Sequence, residues 1–339
     1  MKERVLSGMR PTGALHLGHY HGALKNWVAL QDKHDCYFFV ADWHALTTHY
    51  EDHADLERNV YDMVVDWLAA GIDPTKTTLF IQSRLPEHAE LFTLLAMGTP
   101  LSWLERVPTY KDQIQQLATQ QRGKDLATYG FLGYPLLQAA DILIYRAAFV
   151  PVGEDQAPHV EITREVARRF NHLYGRKNGE QQTVLPEPAT LLTETSRLPG
   201  LDGRKMSKSY GNDIAMREEP ADVERKVRRM QTDPDRVRRT DAGNPERCPV
   251  WQFHRVYSDV HTRAWVQKGC TSAGIGCLEC KQPVIDAIVA EQQPWRERAE
   301  AYLSNPKQVQ WIVEVGTEQA RGVARATMRH VRAAMGLAY

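Results

Sequence analysis

Cys36-Tyr37-Phe38-Phe39-Val40 is an uninterrupted run of apolar residues, the pattern of a strand covered on both faces. Upstream, a helical spacing of apolar side chains extends from about His16 to Gln31, with Leu17, Ala23, Leu24, Trp27, Val28 and Leu30 as core candidates. Before it stand a short strand, Val5-Leu6, and the loop Gly8-Met9-Arg10-Pro11-Thr12-Gly13. Downstream, an amphipathic helix is predicted from about Ala54 to Ala70, closed by Gly71, and Thr77-Thr78-Leu79-Phe80-Ile81 reads as a third strand. Strands alternating with helices over short connections imply crossovers, and so an α/β fold with a doubly wound parallel, Rossmann-like sheet.

The pattern turns mostly helical from about Glu87 to Tyr145, as if an insertion interrupts the sheet. Val150-Pro151-Val152-Gly153 resembles a strand end running into a helix from about Gln156 to Tyr174. Residues 175–203 are rich in Pro, Gly, Thr and Glu and read as loop or linker. Beyond Asn212 only helical patterns remain, among them Pro220 to Met230, with proline at a first helical position, and about Glu318 to Met335. The division expected is a Rossmann-like unit over 1–210 with a helical insertion over about 87–145, a helical unit over 211–306, and a final helical segment over 307–339 packing back on the first.

Charge and composition narrow the classes of function. The 339 residues carry 42 basic and 42 acidic side chains, 42% hydrophobic and 25% charged, an ordinary globular mixture. A balanced charge argues against a protein coated in nucleic acid but permits a local basic surface. One candidate runs through Arg225, Lys226, Arg228, Arg229, Arg236, Arg238, Arg239 and Arg247. No apolar stretch is long enough to span a bilayer, and Met1-Lys2-Glu3-Arg4 lacks a signal-peptide layout, so a cytoplasmic location is the expectation. Five cysteines are too few for a disulfide scaffold.

Two short stretches are candidates for phosphate chemistry, against the plainer readings of core or surface histidines and of a solvated basic loop. His16-Leu17-Gly18-His19 opens the first helix, whose N-terminus offers unpaired N–H groups and a partial positive charge. Two imidazoles one turn apart share a face and can donate to phosphate oxygens, and Gly18 lets a flat base or sugar approach the backbone. Lys205-Met206-Ser207-Lys208-Ser209, after Asp202-Gly203-Arg204, supplies two cations and two hydroxyls on a loop able to follow a triphosphate.

HLGH and KMSKS, in that order and about 190 residues apart, resemble the paired signatures of class I aminoacyl-tRNA synthetases. The tryptophanyl branch is resembled further in Ser7-Gly8-Met9-Arg10-Pro11-Thr12-Gly13, Ala41-Asp42-Trp43-His44-Ala45, Leu137 through Leu143 (LQAADIL), Val150 through Gln156 (VPVGEDQ) and Ala334-Met335-Gly336-Leu337. The resemblance implies a ligase that activates L-tryptophan with Mg-ATP and transfers it to the 3' end of tRNA(Trp), with His16, His19, Lys205 and Lys208 catalytic. It places Arg10, Pro11, Thr12, Gly18, Gly153, Glu154, Asp155, Met206, Ser207 and Ser209 about ATP. It places Leu6, Gly8, His44, Gln138, Asp141 and Gln156 about tryptophan. Tyrosine enzymes of this subclass carry a tyrosine on the first strand, where Leu6 stands here. Asp141 accepts the indole N–H, a donor-only group, by the same resemblance; unlike a helix-surface aspartate, it lies in the apolar run LLQAADILIY, where an unpartnered carboxylate is costly.

Cys248, Cys270, Cys277 and Cys280, spaced C-x21-C-x6-C-x2-C, can converge on one metal centre. They resemble a branch of tryptophanyl enzymes that holds a 4Fe-4S cluster in the anticodon-binding domain, with zinc, or four plain thiols, the alternatives. Cys36 reads as a small buried hydrophobe. The resemblance also implies a homodimer through the insertion, and neither a DNA partner nor a membrane. Three other readings remain: a tyrosyl-tRNA synthetase, a non-catalytic metal-containing RNA-binding protein, and another nucleotidylyltransferase with an HxGH motif, which explains neither KMSKS nor the long helical tail.

Overall fold

The computed structural model describes residues 2–107, 128–153, 157–177, 179–192 and 198–339. A five-stranded parallel sheet lies at its centre: β1 (Arg4–Met9), β2 (Asp35–Val40), β3 (Thr77–Ile81), β4 (Phe149–Val152) and β5 (Ala189–Leu192). Its spatial order is β3-β2-β1-β4-β5. The chain leaves β1 towards β2 on one side and reaches β4 on the other, so the sheet has a switch point between β1 and β4, where α/β sheets place their ligand crevice.

Alternation along β2 shows why it reads as a continuous apolar run. Cys36, Phe38 and Val40 enter one core with Val5, Trp27, Met63, Val64 and Trp67. Tyr37 and Phe39 point the other way, into a second core with Leu6, Phe80, Leu143 and Tyr145. Trp27 stacks on Phe38 with ring centroids 4.6 Å apart and meets Trp67 edge-on at 5.1 Å, geometries favoured by the ring quadrupoles.

Three sequence expectations change. β1 extends through Met9 rather than ending at Leu6, because Ser7, Gly8 and Met9 pair with Phe38, Phe39 and Val40. The helix after the first loop is composite: Leu17–His19, a π-helical turn Tyr20–Leu24 and Lys25–Leu30, here jointly α1. The stretch read wholly as linker supplies β5, which pairs with β4 from Phe149↔Ala189 to Val152↔Leu192.

The helices that follow are α2 (Asp42–His49), α3 (Leu56–Ala70), α4 (Glu87–Ala96), α5 (Leu101–Glu105), α6 (Tyr129–Ile144), α7 (Ala157–Tyr174), α8 (Pro220–Arg229), α9 (Pro249–Tyr257), α10 (Val260–Thr271), α11 (Cys277–Leu303) and α12 (Pro306–Ala334). α11 brings Val284, Ile285, Ile288 and Trp295 into the core that holds Trp67 and Val40. The helical region therefore shares apolar burial with one face of the sheet. α12 begins at Pro306, well before the residues whose periodicity marks it, and lies directly on β3. A Cβ on Gly316 would fall 1.9 Å from the Leu79 carbonyl oxygen, so the helix reaches this backbone only because residue 316 has no side chain.

Gly316→Ala must push α12 off β3. We expect a loss of about 2 kcal/mol or more in urea unfolding, whereas Gly322→Ala, with open space around it, leaves stability unchanged or raises it.

Candidate active site

β1 delivers Gly8, Met9 and Arg10 to the C-terminal edge of the sheet, and the loop behind them leads into HLGH. The His16 backbone N–H donates to His19 Nδ1 at 3.2 Å. That bond makes Nδ1 an acceptor and leaves the imidazole proton of neutral His19 on Nε2, as a donor. The two rings lie 3.7 Å apart, tilted by 30°, too close for both to carry charge. His16 is held down to about 4, chiefly by burial, with Lys208 and Lys205 adding repulsion against the attraction of Asp213. His19 is held down to about 3 by burial, then by His16, Lys208 and Lys205. Both are neutral N–H donors at physiological pH, not cations. His16 Nδ1 is buried and unpartnered within the protein.

KMSKS closes on the same place. A Cβ on Gly13, whose φ of +115° suits glycine, would meet Lys208 Nζ at 2.5 Å, and one on Gly18 would meet the Met206 Cβ at 3.4 Å. The Lys208 ammonium therefore lies over the loop that precedes HLGH, with Met206 buried beneath. Burial lowers the Lys208 pKa, against the pull of Asp213, Asp66 and Asp62. Lys205 and Ser209 are exposed and Ser207 half-buried, and the Ser207 hydroxyl reaches that of Ser209 at 3.4 Å. Pro11 is buried beside exposed Thr12, whose N–H donates to the Arg10 carbonyl at 2.9 Å. Arg10 keeps solvent access, yet surrounding protein lowers its pKa, as befits a cation recessed in a cleft.

Residues that no motif marked hold these pieces together. Leu17 N–H donates to the Ile214 carbonyl at 3.0 Å and Met216 N–H to the Leu15 carbonyl at 2.9 Å, stitching the two motif segments together. Asp66, from α3, accepts the Leu15 N–H at 3.1 Å and Arg217 Nε at 2.5 Å. Burial raises the Asp66 pKa against the opposing pull of Arg217 and the Leu15 N–H. Asn212 shapes the KMSKS turn, accepting from Ser207 N–H at 2.8 Å and donating to Asp202 at 2.7 Å and the Lys205 carbonyl at 3.1 Å. Asp66 did leave a sequence signal, a lone carboxylate inside Met63-Val64-Val65-Asp66-Trp67-Leu68.

On the sheet's other face, Asp141 of α6 is wholly buried. It accepts from His44 Nε2 at 2.7 Å, from His88 Nδ1 at 2.6 Å, and from Gln82 Nε2 at 2.8 and 3.0 Å. Burial pushes the Asp141 pKa up, but the hydrogen bonds from His44 and His88 outweigh it and hold the carboxyl below its ordinary value. Tyr145, whose pKa burial raises well above the ordinary value, stays a phenol and bonds His88 Nε2 at 2.7 Å. Gln82 and His88 were not marked by the sequence. Leu6 packs in the core on this face. Gln138 is half-buried one helical turn before Asp141. A Cβ on Gly8 would strike the Phe39 ring at 2.5 Å, so glycine seats that ring. Gly153 follows β4, while Glu154, Asp155 and Gln156 lie outside the described residues.

The family described as tRNA synthetases class I (W and Y) matches residues 2–291. A tryptophan–tRNA ligase of Ralstonia nicotianae is 60% identical, over 99% of both chains. The chain belongs to the tryptophan–tRNA ligases of class I. Its relative from Thermotoga maritima is 50% identical over 99% of this chain and 100% of that one. A solved tryptophanyl-tRNA synthetase of Campylobacter jejuni, complexed with ADP and tryptophan, is similar at a TM-score of 0.85 and 31% identity, over 98% of this chain and 100% of that one.

In this synthetase the cysteines sit around the helix ends of the C-terminal region. Cys248 precedes α9, Cys270 ends α10 and is buried, and Cys277 and Cys280 share a face in the first turn of α11. None of the four is in a disulfide, nor is buried Cys36. The Cys280 thiol is pushed up to about 12 by burial and by Cys248, Cys270 and Cys277. Arg236 Nη1 approaches Cys270 Sγ at 3.8 Å, and His254 Nε2 lies 3.4 Å from Cys280 Sγ. Among the described residues, no group of three or more His, Cys, Asp or Glu side chains is arranged to hold a metal ion. The basic run divides: Arg225, Lys226, Arg228 and Arg247 pair with Asp222, Glu218, Glu224 and Asp235, while Arg236 is buried.

Because His16 and His19 bind protons less well than an ordinary histidine at 6.5, the unfolded chain takes up more protons in acid. Stability is then full above about 6.5 and is lost as the pH falls towards about 4. A His16→Gln/His19→Gln variant should show a shallower acid limb in thermal unfolding, and an unchanged limb would contradict the neutral-donor assignment.

Proposed function

We infer that this chain activates L-tryptophan with Mg-ATP and transfers it to tRNA(Trp). The observation that carries the reading is the seating of Lys208 over Gly13, beside two neutral histidine donors, on a sheet edge whose other face holds a buried, ionised aspartate. The tryptophan carboxylate attacks the α-phosphorus of ATP; the bond to the bridging oxygen breaks and magnesium pyrophosphate leaves. The nucleophile is already ionised, so no general base is needed and catalysis rests on position and charge. His16 and His19 donate to phosphate oxygens, and Lys205 and Lys208 meet the charge that builds on the leaving group, with Arg10 beside them. By the family resemblance, Gly153, Glu154 and Asp155 are assigned to the ribose. A terminal hydroxyl of tRNA then attacks the adenylate carbonyl, releasing AMP.

Asp141 accepts the indole N–H in this reading, with Gln138 and Gln156 about the amino acid. Leu6, buried on the first strand, has no hydroxyl for a tyrosine phenol, which favours tryptophan. Met97, Leu101 and Tyr129 stand 72%, 56% and 70% exposed around the insertion, an apolar surface suited to a second copy of the chain.

The four thiols we assign to a 4Fe-4S cluster in the helical region that meets the tRNA. The closeness of Cys248, Cys270 and Cys277 to Cys280, enough to raise its pKa, and the N–H groups of Arg236 and His254 facing two of the sulfurs suit a centre of thiolates. The cluster braces that region and carries no step of the reaction.

Lys208→Ala should lower tryptophan-dependent pyrophosphate–ATP exchange by about 100-fold or more, with tryptophan affinity by calorimetry changed far less; undiminished exchange would remove Lys208 from the mechanism. Anaerobically purified protein should carry about four iron atoms per chain with broad visible absorption, and stoichiometric zinc or metal-free thiols would overturn the assignment.

A further inference from the structure

Asp141 is already saturated. A carboxylate has about four lone-pair sites, and four contacts within 3.0 Å occupy them: His88 and Gln82 on Oδ1, His44 and Gln82 on Oδ2. An incoming indole N–H must therefore replace a donor rather than add one.

The three donors are not equally held. His88 is gripped at both ring nitrogens, by Asp141 and by Tyr145. His44 makes one short bond of 2.7 Å from within α2. Gln82, in the 3-10 turn Gln82–Arg84 beyond the C-terminal end of β3, spreads its amide Nε2 across both carboxylate oxygens, at 2.8 and 3.0 Å. Its other end is worse placed: Gln82 is wholly buried and its Oε1 has no partner. Turning the amide over would set Oε1 against an ionised carboxylate, so the orientation is fixed by charge. A buried, unpaired carbonyl costs about 1–3 kcal/mol, and Gln82 alone among the three carries such a cost into its bond with Asp141.

We propose that Gln82 is the exchangeable donor of the specificity site: it caps both oxygens of Asp141 in the free enzyme, and it yields one carboxylate lone pair to the indole N–H when tryptophan binds. Gln82 is a positioning residue, acting through Asp141. The inference rests on the reading that Asp141 accepts the indole. It makes a statement about discrimination that the reading alone does not. A tryptophan isostere with no N–H, such as benzothienylalanine, leaves Gln82 on Asp141, and the wild-type enzyme is thereby spared a bare buried acceptor. Gln82 thus softens rejection of the isostere, and removing its N–H sharpens that rejection.

The test compares kcat/KM for tryptophan and for benzothienylalanine in pyrophosphate–ATP exchange, for wild type, Gln82→Met and Asp141→Asn. Changes common to both substrates cancel in the ratio, so a merely structural role for Gln82 does not move it. The tryptophan-to-isostere ratio should rise about tenfold in Gln82→Met, and a ratio within about twofold of wild type would overturn the proposal. If Asp141 does not read the indole, wild type shows little discrimination and Asp141→Asn leaves it unaltered, a different pattern of failure. Crystal structures of the wild-type enzyme with each amino acid need no variant. Gln82 Nε2 should leave at least one Asp141 oxygen in the tryptophan complex and keep both in the isostere complex. Retention of both contacts beside bound tryptophan would sink the proposal.

Discussion

The two backbone bonds between residues 15–17 and 214–216 are the constraint on which the site depends. They join the start of the first helix to the segment that follows KMSKS, across nearly the length of the sheet-bearing part of the chain. Without them Lys208 has no reason to lie over Gly13, and the paired donors of His16 and His19 face no cation.

Asp66 and Arg217 guard this seam at a price in charge burial. Asp66 is almost wholly enclosed, and burial raises its pKa in spite of the arginine. Such pairs contribute little net stability, yet breaking one strands a buried charge at a cost of about 3–5 kcal/mol. The pair therefore acts as a registration device: it tolerates one alignment of the two segments and penalises others. Asp141 shows the opposite balance, with neighbouring histidines outweighing the cost of burial. One carboxylate fixes the framework and the other is kept charged and accepting at neutral pH.

Much of this was legible in the residues. β2 and β3 are apolar runs whose alternation fills two cores at once, and the order of elements dictates a parallel sheet. HLGH and KMSKS supply donors and cations suited to phosphate, and their order and separation resemble the class I signatures. What was hidden is what arises only from contact. Ser7-Gly8-Met9 has a glycine that reads as loop, and β2 makes it strand by pairing. Ala189–Leu192 is four residues beyond a proline-rich stretch, and β4 supplies its structure. Asn212, Gln82 and His88 are ordinary polar residues in one dimension; their roles come from carbonyls and carboxylates that the fold brings to them. The same holds for the arginine run, where Lys226 and Arg236 turn inward to structural partners although in sequence the run reads as one local basic surface.

The most direct test of the account is a crystal structure with a stable tryptophanyl-adenylate analogue. The account predicts the phosphate mimic within hydrogen-bonding distance of the histidine donors, on the side that Lys208 faces, and the indole N–H on an Asp141 oxygen in the same molecule. An analogue bound with its phosphate mimic away from both motif segments, or with its indole remote from Asp141, would contradict it.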